Sequence, residues 1–139
     1  MVMTEPKWTS ELAKYWGNVL MLPYIGTEMA MNWPDRYISS LTWYGWIEFK
    51  NPKTVLRDAQ WLNIVRLQQF GTMACVVRRT QIRKDFENEK VEIYITDRKQ
   101  FDAETTVNNL LPTLARMFRK IRDTTHNYIA RPGFFAGEG

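Results

Sequence analysis

Apolar positions along the chain gather in short runs broken by turn residues, and the spacing within each run separates helices from strands. Thr9 or Ser10 reads as an N-cap, and Glu11, Leu12, Lys14, Tyr15 and Trp16 predict a helix of two or three turns ending at Gly17. Val19 to Leu22, closed by Pro23, predicts a strand, and Tyr24 to Met31 reads as irregular or as a weak strand. Arg36 to Leu41 and Trp46 to Lys50 predict a hairpin around a turn at Thr42 to Gly45, and Asn51-Pro52-Lys53 stops its second strand. Leu56 to Phe70 predicts a helix whose broad apolar side carries Trp61, Leu62, Ile64, Val65 and Leu67, with Gly71 as its C′ residue. Met73 to Val77 is a continuous apolar run, as in a strand covered on both faces. After a polar stretch, Arg78 to Lys90, a fifth strand is predicted at Val91 to Thr96. Val107 to about Asp123 predicts a helix with a basic outer side, interrupted or started anew at Pro112, and a Gly/Phe tail follows. A hairpin, a crossover helix and a further buried strand predict an α/β domain: a small mixed central sheet flanked by helices.

Composition narrows the classes. With 139 residues, 24% charged and 45% apolar, the chain has the size of one globular domain. It divides into an expected core over 1–106 and a basic C-terminal helix and tail over 107–139, packed on the same domain. No apolar run approaches the roughly 18 residues that span a bilayer, and Met1 to Ser10 carries Glu5 and Lys7 with no signal-like apolar stretch, so a cytoplasmic protein without a membrane partner is expected. A single cysteine, Cys75, and a single histidine, His126, exclude an internal disulfide and any thiolate-rich or multi-histidine metal centre within one chain. A metal, if bound, must be held by oxygen. The net charge of +4 is small, but Val107 to Gly139 carries five basic residues (Arg116, Arg119, Lys120, Arg122, Arg131) against two acids, which predicts a basic patch and a polyanionic partner. Cys75 falls in a buried-looking strand and reads as packing; Met29 and Met31 read as filler, and His126 takes no role.

The candidate chemistry lies in the hairpin. Glu48 and Lys50 are separated by one strand residue and share a face, while Phe49 points the other way. A regular hairpin with a turn at Thr42 to Gly45 puts Ser39 opposite Glu48, Tyr37 opposite Lys50 and Asp35 opposite Pro52, so that Asp35 approaches Lys50 and Glu48 diagonally on one face. Carboxylates that converge raise one another's pKa unless a cation sits between them. Mg2+ or Mn2+ meets that need with oxygen ligands, and lowers the pKa of a bound water at a phosphodiester. Lys50 could then orient that water or offset transition-state charge. The same residues also fit a strand-start turn and a solvated Glu-Lys pair. Gln60, in the first turns of the next helix, could reach the same point.

The runs Asn32-Trp33-Pro34-Asp35-Arg36, Trp46-Ile47-Glu48-Phe49-Lys50, Leu56-Arg57-Asp58-Ala59-Gln60, Leu67 to Gly71 and Ala74-Cys75-Val76-Val77-Arg78, in that order, resemble the PD-(D/E)xK nuclease superfamily. More narrowly they are similar to its VRR-NUC branch, found in small stand-alone phage proteins and in a junction-processing repair enzyme. The likeness covers about a third of the chain. Asn32 stands where the family usually has Gly, and Arg57 where it usually has Ser or Thr. The resemblance implies a restriction-endonuclease-like core with a C-terminal helical extension, in which Asp35, Glu48 and the Phe49 carbonyl bind Mg2+ or Mn2+. Lys50 would be the catalytic lysine and Gln60 would orient the site. Glu11, or less favoured Glu28, would complete it.

A nuclease needs cations along the phosphate backbone. Arg36, Lys53 and Arg57 flank the implied site, and Arg78, Arg79, Arg83 and Lys84, with Arg116, Arg119, Lys120 and Arg122, could extend the track or form ordinary solvated faces. Trp33, Trp43 and Trp46 fit core or interface packing better than stacking on bases. The implied activity is metal-dependent, structure-selective DNA cleavage by a homodimer on branched DNA such as four-way junctions, in the cytoplasm, that of the host if phage-encoded. The competing readings are a non-catalytic DNA-binding protein that keeps the fold, and a sequence-specific restriction-type endonuclease.

Overall fold

The computed structural model describes residues 5–17, 19–23 and 32–125. Strand alternation sets its layers. Along β3 (Tyr44–Lys50), Ile47 and Phe49 enter one buried layer, and Trp46, Glu48 and Lys50 alternate toward the other. The remaining elements are α1 (Glu5–Trp16), β1 (Val19–Pro23), β2 (Arg36–Ser40), α2 (Asp58–Gln69), β4 (Ala74–Arg79), β5 (Lys90–Tyr94), β6 (Ala103–Thr106) and α3 (Leu110–Thr125). Among the described residues, six strands form one mixed sheet in the order β1-β2-β3-β4-β5-β6, in which β3 and β4 are parallel and all other neighbours antiparallel. The crossover between the parallel pair is α2, as a parallel connection requires. The chain is thus a mixed α/β domain with a small central sheet flanked by helices.

The larger core lies on the Ile47/Phe49 face, where Trp8 and Leu12 of α1 and Leu110, Leu114 and Phe118 of α3 pack with Ile38, Cys75, Val77 and Ile93. Residues 110–118 therefore belong to the core itself. The other face is covered by α2, through Ile64 and Leu67 against Ala74, Val76 and Tyr94, with Trp33, Trp46 and Trp61 at the margin. Glu48 lies on this second face. Among the described residues, no helix is long and apolar enough to cross a membrane.

Several boundaries differ from those the pattern predicts. Helix α1 begins at Glu5 instead of after a Thr9 or Ser10 cap, because Trp8 and Leu12, four apart, are both fully buried on one side and Thr9 is buried beside them. The hairpin turns earlier and more tightly than expected. Ser40 N–H donates to the Trp43 carbonyl at 3.0 Å and Ser40 Oγ accepts from Trp43 N–H at 2.9 Å, leaving Leu41 and Thr42 as the loop. Strand β3 therefore starts at Tyr44, with Ser39 opposite Tyr44 and Arg36 opposite Ile47. Relative to the predicted register the slip is four residues, an even number, so every side chain keeps its face. Strand β6 was not predicted, since Ala103–Thr106 has neither alternation nor an apolar run; it is recruited by pairing with β5. Pro112 sits in the first turn of α3, where a missing N–H costs nothing.

Arg79, expected as a candidate for the DNA track, is instead wholly buried. Its Nε and Nη2 donate to the two Glu89 carboxylate oxygens at 2.8 and 2.7 Å, Nη1 donates to Asn51 Oδ1 at 3.0 Å, and the guanidinium lies 4.5 Å from the centre of the Trp8 ring. A bidentate pair with a further donor on Asn51 is a form in which buried charge is tolerated. Removing one partner strands the other. We expect Glu89→Ala to lower unfolding free energy by about 3–5 kcal/mol in urea titrations; a loss below about 1 kcal/mol would show that the pair is not the anchor described.

Candidate active site

The tight turn decides the geometry of the site. With Arg36 opposite Ile47, the next position outward in the same register sets Asp35 opposite Glu48, where the predicted hairpin had set it opposite Pro52. The two residues are tied together by backbone: Asp35 N–H donates to Glu48 Oε2 at 3.0 Å, and Phe49 N–H donates to Asp35 Oδ2 at 3.3 Å. The N–H and C=O of one strand residue point to the same edge, so the Phe49 carbonyl also faces the Asp35 side, beyond the end of β2. Lys50 Nζ lies 3.5 Å from Glu48 Oε1, with both side chains almost fully buried.

Gln60 joins the site through a division of its amide. Its Nε2 donates to Glu48 Oε1 at 2.8 Å, while its Oε1 accepts from Arg57 N–H at 3.0 Å at the start of α2. That second bond satisfies one backbone donor at the helix end, a task usually shared with a Ser or Thr N-cap side chain that Arg57 cannot perform. Three residues further on the same helix side, Asn63 Nδ2 donates to the Asn32 carbonyl at 3.1 Å and holds the approach to Asp35. Asn32 has φ of +73°, a left-handed conformation in which Gly is favoured and Asn is tolerated.

The linker from β3 to α2 is clamped by arginines. Arg78 Nη1 donates to the carbonyls of Asn51 and Thr54 at 3.1 and 2.6 Å; Arg98 donates to the Leu56 carbonyl at 3.1 Å and pairs with Asp58 at the helix start. With Arg79 on Asn51, these contacts fix the distance between Lys50 and Gln60. Arg78 was expected as a DNA contact and serves here as a brace. Asn63 could have been found from its i+3 spacing after Gln60; Arg98, forty residues from Asp58, has no local signal.

The structure thus brings together Asp35, Glu48, the Phe49 peptide, Lys50 and Gln60. Glu11 is not brought in: its carboxylate lies 3.6 Å from Lys14, and α1 packs on the Phe49 face. Among the described residues no cluster of three or more His, Cys, Asp or Glu side chains forms a metal site. Glu28, Met29, Met31 and His126 lie outside the described residues. Lys53 and Arg57 are exposed on the linker, and Arg36, half-buried, donates to the Asp35 carbonyl at 2.9 Å. Arg116, Arg119 and Lys120 are exposed on α3, the layer behind the sheet. Trp43 is buried, Trp33 and Trp46 half-buried. Cys75 is buried and its thiol is pushed well above its usual range by burial, consistent with packing. No family model, no curated protein and no solved structure matches the chain.

Electrostatics state what the pair lacks. Burial, then the facing Asp35 charge, push the Glu48 carboxyl up to about 8, and Lys50 only partly opposes them. A proton relieves that repulsion; a divalent cation would relieve it better. The donor set fits one: carboxylates and a peptide carbonyl are oxygen ligands of the kind Mg2+ and Mn2+ take, and Glu48 Oε2 is turned to the Asp35 N–H. Because the folded chain holds the Glu48 proton up to about pH 8 and the unfolded chain releases it near 4.5, folding is favoured by low pH in this window. In EDTA, stability should fall as pH rises from 4.5 toward 8, by up to about 1.4 kcal/mol per pH unit, and Glu48→Gln should flatten the slope. Added Mg2+ should raise the melting temperature more at pH 8 than at pH 6. A Mg2+ effect independent of pH, or unchanged in Glu48→Gln, would contradict this assignment.

Proposed function

We propose that the protein is a metal-dependent deoxyribonuclease of PD-(D/E)xK type, hydrolysing phosphodiester bonds in branched or otherwise structured DNA. The observation that carries the reading is the pairing of Asp35 and Glu48 across β2 and β3, with Lys50 and Gln60 both on Glu48. These four belong to the set that the sequence resemblance implies, without its Glu11, and a Glu48 carboxyl driven to hold a proton beside Asp35 asks for a cation. Mg2+ or Mn2+, held by Asp35, Glu48 and the Phe49 carbonyl, would supply Lewis acidity at the scissile phosphate.

The chain's own groups take definite tasks. Gln60 fixes the Glu48 carboxylate by one oxygen and leaves the other directed toward Asp35. Lys50, buried and anchored at Glu48, presents a cation where phosphate charge grows in the transition state. Lys53 and Arg57, exposed on the linker that follows Lys50, grip backbone phosphates without reading bases. We place the protein in the cytoplasm, and a two-fold homodimer would offer two such sites to strands of opposite polarity.

Labelled linear duplex, single-stranded, flap and four-way junction DNA, incubated with Mg2+, Mn2+ or EDTA, test the reading. Cutting should require metal, favour branched DNA, and fall by about 100-fold or more in Asp35→Ala and Lys50→Ala. Cutting by Asp35→Ala at the parent rate would refute it. Binding without cutting would favour the non-catalytic reading, and cutting at one short sequence the restriction-type reading.

A further inference from the structure

The aromatic side chains beside the carboxylates stand in a row. Tyr37 lies opposite Trp46 across β2 and β3, with ring centroids 5.3 Å apart. Trp46 precedes Glu48 by two residues and Tyr37 follows Asp35 by two, so both share the carboxylate face, and Tyr44 continues it. The row ends in an open cavity of about 490 Å3 at the starts of β3 and β4. Tyr37 and Tyr44 line it from the carboxylate side, Phe118 and Arg119 from α3, and Trp43 between them. Its shape depends on Gly45, where a Cβ would stand 2.7 Å from the Trp43 ring and from the Met73 carbonyl oxygen.

Size and lining select the ligand class. A volume of this order suits an organic molecule and far exceeds an ion. Tyr44, 55% exposed, offers an aromatic face, Arg119 offers a guanidinium matched to phosphate, and among the described residues no acidic side chain lines the cavity. Aromatic faces with a nearby cation are what single-stranded nucleic acid binds. Gly45 and Glu48 are three strand residues apart, about 10 Å at about 3.3 Å each.

We propose that this cavity binds an unpaired base and its phosphate from the strand being cut, within a few nucleotides of Asp35 and Glu48. The inference rests on the nuclease reading and sharpens its substrate. In a duplex the bases are stacked and paired, and delivering one to Tyr44 costs a few kcal/mol of unstacking. A strand already unpaired next to the scissile phosphate avoids that cost, so the cavity selects flaps and junctions over plain duplex by base capture.

The test is fluorescence anisotropy of the full-length chain in EDTA, with a short labelled oligothymidylate and a blunt duplex of equal length. Tyr44→Ala and Arg119→Ala, at exposed positions and checked for unchanged melting, should each weaken oligothymidylate binding by about tenfold. Tyr44→Phe should keep it. Tyr44→Ala should leave duplex binding within about twofold. Equal oligothymidylate binding by parent and Tyr44→Ala, equal losses on both probes, or a changed oligomeric state in Tyr44→Ala would each overturn the inference. Cutting with Mg2+ is scored separately. Capture of the oligothymidylate through Tyr44 without cutting of any DNA would remove the nuclease reading and leave this site standing; cutting unaffected by Tyr44→Ala on flap DNA would remove the site and leave the nuclease.

Discussion

Two carboxylates face each other at the end of a buried strand pair, and much of the fold holds them there against their repulsion. Asp35 donates its N–H to Glu48 and accepts from the N–H of Phe49, and Glu48 is further held by Gln60 and Lys50. Each restraint comes from a different element: the hairpin sets the register, β3 supplies the lysine, and α2 supplies the amide. A buried carboxylate driven to hold a proton near neutral pH is costly to keep, and such perturbed groups concentrate at functional sites. The proposed cation, bound between the two, would offset that cost.

The supporting contacts follow from the same demand for position. Arg78, Arg79 and Arg98 spend their donors on the segment from Asn51 to Asp58, so the linker that separates Lys50 from Gln60 is held from β4 and from the loop after β5. Arg79 is held in turn by Glu89 and the Trp8 ring, which connects the site to the core on the opposite face of the sheet. A substitution at Glu89 thus reaches the linker beside the site through Arg79 and Asn51. Basic residues near the site therefore divide into braces, Arg78, Arg79 and Arg98, and exposed cations, Lys53, Arg57 and Arg119.

The elements with a strong period were legible in the sequence. The apolar run at Met73 to Val77, the broad helix ending near Gly71 and the shared face of Glu48 and Lys50 all follow from local spacing, and each reappears with boundaries moved by a few residues. Gln60 was legible as a neighbour of the site through its place early in α2. The register of the hairpin was not, because Ser40 and Trp43 close the turn by side-chain and backbone bonds that hydropathy does not encode. That slip moved Asp35 from a diagonal neighbour to the residue directly opposite Glu48. Arg79 looked like a surface cation, since nothing within its own strand announces a carboxylate ten residues away. Glu11 was expected to complete the site only because the resemblance implies an acid on the first helix; that helix is turned by Trp8 and Leu12 toward the other layer.

The central claim is that Asp35 and Glu48 form one divalent-cation site. Electron paramagnetic resonance of Mn2+ titrated into the protein at pH 8 tests it most directly, because free Mn2+ is counted without reference to any substrate. The account predicts one bound Mn2+ per chain, displaced by Mg2+, and lost in Asp35→Asn while the fold is retained. An Asp35→Asn protein that binds Mn2+ as the parent does, or a parent that binds none, would contradict it.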